Sequence, residues 1–394
     1  MVNQFQLSRL PVLYFGAGKI ATLPAVIKEL GGKALLITGR SSFIESGRYG
    51  LLEKHLKENG LHFFHETAGE EPSPGMVDGI CRNHEAHKIN VVVSIGGGSV
   101  MDTGKAVAAM LPLGEPVAEY LEGIGNRQHN GNKISFVAIP TTAGTGSEAT
   151  KNSVLGEAGM EGFKRSLRHD NFVPDVAIVD PELTLSCPAA HTAAAGMDAF
   201  TQLVESYTST KSNLFTDSLA WKGITCIKSS ILKAYHHGND LDARTDMAFA
   251  AFVSGITLSY AGLGAIHGFA SSIGARFNIP HGVICGRMMA EVNKLNIVRL
   301  ISESPDSDAT RKYISLSRFF TGDYVSADES VLQDFSVYLE NLTQELGLKD
   351  RFPQCFTDED IEAIASSTQL KNNPVVLSPT DLAGILHKVN RVIL

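Results

Sequence analysis

Three residues carry the chemistry that this sequence offers most directly. Asp198 stands in Gly196-Met197-Asp198-Ala199, His267 in Gly264-Ala265-Ile266-His267-Gly268, and His281 in Ile279-Pro280-His281-Gly282. A carboxylate with two imidazoles suits Zn²⁺ or Fe²⁺. Each residue taken singly is equally at home as a structural side chain, a histidine beside a glycine above all. Spacing alone does not assemble the three into one site.

Two glycine-rich turns offer a second chemistry. Ile95-Gly96-Gly97-Gly98-Ser99 follows an apolar run and precedes a helical stretch holding Asp102 and Lys105. Glycines there let backbone N–H groups approach phosphate oxygens, and the helix N-terminus adds partial positive charge. A tight strand-to-helix turn also needs glycine for its own sake, so this turn alone leaves both readings open. Pro140-Thr141-Thr142-Ala143-Gly144-Thr145-Gly146-Ser147-Glu148 also follows an apolar run and brings three threonine hydroxyls and two glycines into one loop. Two such loops at strand carboxyl ends line the crevice where open α/β sheets bind ligands. Neither is the GxGxxG fingerprint of an ordinary Rossmann domain.

The elements that must position these residues follow from the pattern of apolar runs. Lys33–Thr38, Val91–Ile95, Ser135–Ile139 and Val176–Asp180 are short, nearly continuous runs closed by glycine or proline, and predict buried strands. Helical stretches, Ala21–Leu30 and Gly75–His87 among them, alternate with these runs. The alternation predicts a parallel, doubly wound sheet in an α/β N-terminal domain, residues 1–183. After Pro181 strand-like runs nearly vanish, which predicts an all-α C-terminal domain, residues 184–394. Ser302–Asp308 reads as a polar surface loop and Phe172 as core.

Bulk composition narrows the partners. Of the 394 residues 43% are hydrophobic and 19% charged, enough apolar material for packed cores. The net charge of −8 argues against nucleic acid or an anionic membrane surface as main partner. Cys81, Cys187, Cys226, Cys285 and Cys355 are scattered and contain no CxxC pair. That argues against a disulfide framework or a thiolate zinc site and for a reducing cytoplasm. No signal peptide is expected at the N-terminus. Met247–Ile266 carries no charge and is long enough to span a bilayer, but its Ala, Gly, Ser and Thr content predicts a buried helix instead.

Gly96 through Lys105, Pro140–Glu148, Gly196–Ala199 and Gly264 through Gly282 together resemble, in order, the signature blocks of the iron-containing (group III) alcohol dehydrogenases. Phe15-Gly16-Ala17-Gly18 and Asn373-Pro374 fit as well, so the resemblance covers nearly the whole chain. It implies the dehydroquinate synthase-like fold of that family, a dinucleotide-binding α/β domain followed by a helical metal-binding domain, and a homodimer. The family's ligands, one Asp and three His, fall on Asp198, His267 and His281, with Gln202 where the fourth stands. An amide oxygen is a poorer ligand than imidazole. Three ligands with an open position, as in the related glycerol dehydrogenases, is the plan of a catalytic zinc site, so a divalent metal, Zn²⁺ or Fe²⁺, is expected. Ser271 replaces a further family histidine thought to assist proton transfer.

The resemblance implies hydride transfer between NAD(P)(H) and a small alcohol or aldehyde, with Asp198, His267 and His281 as the catalytic metal set. Cofactor contacts are implied at Gly97, Gly98, Ser99, Asp102, Thr141, Thr142, Thr145 and Lys164, and substrate contacts at Asn152 and Ser271. In NAD-preferring relatives an Asp follows the strand Leu35–Thr38. Here Gly39, Arg40 and Ser41 stand there, which favours NADP over NAD, since Arg40 and nearby hydroxyls suit a 2′-phosphate. The alternatives are a glycerol-dehydrogenase-like, hydroxy-acid or phosphonate-aldehyde oxidoreductase, and a non-catalytic nucleotide-binding relative.

Overall fold

The protein is described here by a computed structural model covering residues 4–40, 42–69, 71–157, 162–348 and 356–390. Its strands are β1 (Val12–Phe15), β2 (Lys33–Gly39), β3 (His62–Ala68), β4 (Val91–Gly96), β5 (Ser135–Pro140), β6 (Asn152–Glu157), β7 (Phe163–Arg168) and β8 (Val176–Val179). Helices α1 (Leu23–Glu29), α2 (Ser42–Glu45), α3 (Arg48–Glu58), α4 (Pro74–His84) and α5 (Gly98–Met110) alternate with the first strands. Six strands pair in parallel in the order β1-β8-β5-β4-β2-β3, and β6 and β7 form a separate antiparallel pair. The doubly wound parallel sheet expected from the four apolar runs is present.

Those runs are continuous because both sheet faces are covered. In β2, Ala34 and Leu36 join the core under α1 and α3, which supply Leu23, Val26, Leu52 and Leu56. Leu35 and Ile37 point the other way, into the core under α4 and α5. β4 and β5 divide their side chains between the same two cores. The chain winds outward from β2 to β3, returns across β2 to β4, and proceeds the opposite way through β5 and β8. The strand order therefore reverses between β2 and β4, where ligands of doubly wound sheets bind. In-register pairing of Thr38 with Ile95 and of Gly96 with Pro140 brings the turns after β2, β4 and β5 to one edge.

Asp180 holds the chain's first turn to the end of this sheet. Its carboxylate accepts from Gly18 N (3.1 Å), Ile20 N (3.0 Å) and Glu182 N (3.1 Å). The 3₁₀ turn Pro181–Thr184 then leads into α6 (Ala189–Thr208), α7 (Leu214–His236), α8 (Leu241–Ala261), α9 (Ala265–Arg276) and α10 (His281–Glu303). α11 (Asp308–Thr321), α12 (Asp328–Glu345), α13 (Asp358–Ser367) and α14 (Pro379–Asn390) complete the chain. Among the described residues this half contains no strand. The helices share one apolar core, which runs on to Ala149, Ala177 and Val179 at the end of the sheet.

The uncharged stretch 247–266 is not one helix. It ends as α8 at Ala261, turns through Gly262 at φ +74°, and α9 departs at 100°. Among the described residues no single helix is long and apolar enough to cross a membrane, and only this bent pair passes that test jointly. Phe172 is fully buried, as expected of a core residue.

Gly282, one residue into α10, lets that helix touch α6. A Cβ there would stand 2.1 Å from the backbone oxygen of Ala194, an atom that has no rotamer to escape into. Gly282→Ala is expected to destabilise the protein by ~1–3 kcal/mol in urea unfolding, the range for overpacking. Gly384→Ala, in α14 with open space around it, is the control and should be neutral or stabilising by up to ~1 kcal/mol. Equal effects of the two substitutions would contradict this packing.

Candidate metal centre

α6 presents Asp198, Gln202 and Glu205 on one face, one and two turns apart. α9 carries His267 in its first turn, and α10 opens with His281 and carries Cys285 one turn later. The three helices converge so that donor atoms of Asp198, His267, His281 and Cys285 all lie within 4.8 Å of one another. Asp198 Oδ1 is 3.3 Å from His267 Nε2, 3.7 Å from His281 Nε2 and 3.7 Å from Cys285 Sγ. Asp198, His267 and Cys285 are buried, whereas the side chain of His281 is 38% exposed.

Glu205 organises this cluster from behind. Its Oε2 lies 2.6 Å from His267 Nδ1, and its Oε1 accepts from Ile266 N at 2.7 Å in the first turn of α9. A carboxylate on Nδ1 holds a proton there, so Nε2 is the nitrogen that would give up its proton to an ion in the cluster, the arrangement that supports a metal-binding imidazole. Asn373 Oδ1 accepts from Ala265 N (3.4 Å) and from Asn296 Nδ2 (3.2 Å), at the same helix start. Gly264 is required between them, since a Cβ would stand 2.9 Å from Glu205 Oε1 and 3.0 Å from Asn373 Oδ1.

The charges fit a cation. Burial alone would raise the Asp198 carboxyl, but His281, His267 and a hydrogen bond from Gln202 outweigh it and hold Asp198 below its ordinary value. Burial lowers His267 too, yet Cys285, Glu205 and Asp198 together carry it well above the usual imidazole. His281, though partly exposed, is pushed down to about 4 by desolvation, with Asp198 pulling the other way. Burial lifts the Cys285 thiol to about 11. The amide oxygen of Gln202 accepts from Ser254 Oγ at 2.6 Å, so its amide group donates to Asp198 while its oxygen is turned from the cluster.

The glycine turns meet across the sheet edge. A Cβ on Gly98 would stand 2.5 Å from Thr145 Cγ2, and one on Gly97 3.4 Å from Thr142 Oγ1. Thr141 N bonds to Gly96 O at 2.9 Å. Gly97 caps the N-terminus of α5 with Ser99 in its first turn, so amides and hydroxyls gather at the positive end of a helix. The Asp102 carboxylate, in the same helix, accepts from Ser147 Oγ (2.6 Å) and Val154 N (2.9 Å). The buried Lys105 donates to Ser147 O (2.8 Å), Ser147 Oγ (3.0 Å), Thr150 Oγ1 (2.8 Å) and Asn152 O (2.8 Å). Burial drives Lys105 down to about 8 and Glu148 up to about 7, and it raises Asp102 against the pull of Lys105.

The remaining expected residues spread around these sites. Gly39 ends β2, and the exposed Arg40 reaches the end of β3, 3.8 Å from where a Cβ on Gly69 would stand. Ser41 lies outside the described residues, as does Cys355. Lys164, on β7, pairs with Glu71 at 3.1 Å and reaches across to α9 at Gly274. Asn152 Nδ2 approaches Ser166 Oγ at 3.5 Å. Ser271 Oγ donates to its own helix at His267 O (2.8 Å) and so is not directed at the cluster. Glu205 and Cys285 were missed from sequence. The signal for each was helical spacing, seven residues after Asp198 and four after His281, rather than any CxxC pattern.

Comparison with known proteins places both halves. Residues 11–181 match the family model for iron-containing alcohol dehydrogenase, and residues 192–389 match its C-terminal counterpart. Alcohol dehydrogenase 4 of Saccharomyces cerevisiae is 34% identical over 288 residues, 73% of this chain and 74% of the yeast protein. The NAD-dependent methanol dehydrogenase of Bacillus methanolicus is 28% identical over 384 residues, 95% of this chain and 97% of its own. Among solved structures, a 1,3-propanediol oxidoreductase superimposes with a TM-score of 0.85 at 26% identity, covering 98% of this chain and 100% of that one.

Lys105→Met removes the donor shared among Ser147, Thr150 and Asn152 and leaves Asp102 and Glu148 buried without a countercharge. Breaking one partner out of a buried charged network costs about 3–5 kcal/mol, and chemical unfolding at neutral pH, where Lys105 is still charged, should show that loss. Stability within ~0.5 kcal/mol of the wild type would mean that the network does not hold the second loop.

Proposed function

The chain belongs to the iron-containing alcohol dehydrogenase family, and from that premise we propose which of its side chains hold the metal, the nucleotide and the substrate. It is a metal-dependent oxidoreductase that transfers hydride between NAD(P)(H) and a small alcohol or aldehyde. The observation that carries the residue assignment is the convergence of Asp198, His267 and His281 from three helices, with Glu205 behind His267.

Asp198, His267 and His281 would hold the divalent cation, and their mixed carboxylate and imidazole chemistry fits Zn²⁺ or Fe²⁺. When bound, the cation supplies a Lewis acid beside the substrate oxygen, and the nicotinamide supplies or accepts the hydride. The protein's own part is placement and electrostatics. Glu205 keeps the His267 proton on Nδ1, and Gln202 steadies Asp198 from the side that the family's fourth ligand would occupy. Residues 1–183 would present the nucleotide and residues 184–394 the metal, the two halves meeting at the cleft onto which His281 opens.

The dinucleotide phosphates would lie against Gly97, Gly98 and Ser99 at the N-terminus of α5, with Thr141, Thr142 and Thr145 donating from the second loop. Asp102 and Lys105 shape that loop from beneath and need not touch the ligand. Arg40 at the end of β2 favours NADP(H), because a carboxylate there would repel a 2′-phosphate and a guanidinium attracts it. Asn152 and Lys164 would border the substrate. Lys164 and Lys371 both act electrostatically on His281, and two cations beside the cleft favour a hydroxy-acid or phosphonate-aldehyde substrate as the second reading. A cytoplasmic homodimer is the proposed working form.

Asp198→Asn should lower bound metal and NAD(P)H-linked aldehyde reduction together, each by at least ~10-fold, as measured by elemental analysis and by absorbance. Full activity with an unchanged metal content would remove Asp198 from the site. The ratio of specificity constants should favour NADPH over NADH. Arg40→Asp should shift that ratio by about 10–100-fold toward NADH, the ~1.5–3 kcal/mol of a charged hydrogen bond. A wild type that prefers NADH strongly would overturn the assignment of Arg40.

A further inference from the structure

We propose that Cys285 is a metal ligand, bound as thiolate, so that the site is an Asp198-His267-His281-Cys285 set in place of the one Asp and three His expected of the family. This inference rests on the metal reading above and adds to it a residue that no family motif marks.

Geometry carries the case. Around a tetrahedral ion with ligand bonds of ~2.0–2.3 Å, donor atoms are separated by the edge of the tetrahedron, ~1.6 times the bond length, or ~3.3–3.8 Å. The separations here are 3.3 Å for Asp198 to His267, 3.7 Å for Asp198 to His281, 3.7 Å for Asp198 to Cys285 and 3.9 Å for Cys285 to His267. The other pairs stay within 4.8 Å. Four of the six donor separations therefore fall at or within about 0.1 Å of a tetrahedral edge, from side chains on three helices. The Gln202 oxygen accepts from Ser254 Oγ at 2.6 Å.

Placement supports the same assignment. Cys285 lies one turn after His281 on α10, so both side chains leave the helix on one face. The thiol is fully buried, out of reach of solvent oxidants, and has Asp198 and His267 as its polar neighbours. On metal binding the S–H bond breaks, the proton leaves to solvent, and the sulfur lone pair forms the bond to the ion; no electron is exchanged. A thiolate shifts preference toward borderline-soft ions, Zn²⁺ or Co²⁺, and away from hard oxygen-seeking ones.

The test is cobalt substitution of the full chain, read by absorption. Co²⁺ added to metal-free protein should give visible ligand-field bands together with a near-ultraviolet thiolate-to-cobalt charge-transfer band. Cys285→Ser should bind Co²⁺ at least ~10-fold more weakly and lose the near-ultraviolet band while keeping ligand-field bands. The wild-type spectrum decides the matter even if the variant fails to fold. Ligand-field bands without charge transfer in the wild type would overturn the thiolate and leave the Asp-His-His site standing. No cobalt uptake at all would overturn both.

Discussion

A buried carboxylate held behind the metal-ligand cluster sets the terms for this fold. Glu205 sits inside the helical half and is satisfied from two directions, by the first turn of α9 and by the Nδ1 proton of His267. A buried acid is costly unless such partners are exact in position. Meeting that demand fixes where α9 begins, why Gly264 precedes it, and which nitrogen of His267 faces Asp198. Asn373 shares the task at the same helix start and ties the turn before α14 to it. The candidate metal centre is thus assembled by one hydrogen-bonded acid before any ion is present.

The nucleotide-side loops depend on close backbone contact in a similar way. A Cβ on Gly146 would come within 2.6 Å of backbone atoms of Ala251 and Gly255 on α8, and Gly255 would meet Gly146 O at 2.1 Å in return. Gly144 is pressed equally against Ala195 on α6. The loop after β5 therefore belongs to both halves: its hydroxyls face α5, and its backbone lies on α8 and on α6, the helix that carries Asp198. Lys105 closes the arrangement from inside the sheet domain. Placement of the nucleotide and placement of the metal are mechanically one problem here.

What could be read from sequence follows the same physics. β2, β4, β5 and β8 were legible because burial on both faces leaves no alternative to unbroken apolar runs. β1 and β3 were not, since their exposed or half-buried faces admit Tyr14, His62, His65 and Glu66. The β6–β7 pair gives no sustained alternation, with Lys164, Arg165 and Arg168 along β7. Helix ends shifted by a few residues: the run read as Ala21–Leu30 is a 3₁₀ turn followed by a helix from Leu23. In the site, Asp198, His267 and His281 were recognisable as residue types, but only tertiary packing brings three distant helices together. Gln202 was located by position, whereas the direction of its amide depends on Ser254, which no local pattern announces. Cys285 gives no signal in the spacing of the cysteines; only its place four residues after His281 marks it.

The right-angled break between α8 and α9 bears on how the chain comes into being. The uncharged stretch from Met247 is a long apolar surface that the protein must conceal. Its closest packing partners, α6 and α7, both precede it in the chain, so on a ribosome they have emerged before α8 does. The segment most prone to sticking or to being mistaken for a membrane anchor thus meets a prepared groove as it is made. The glycine turn at 262–264 then directs the growing chain aside, so the continuous hydrophobic length never reaches that of a span.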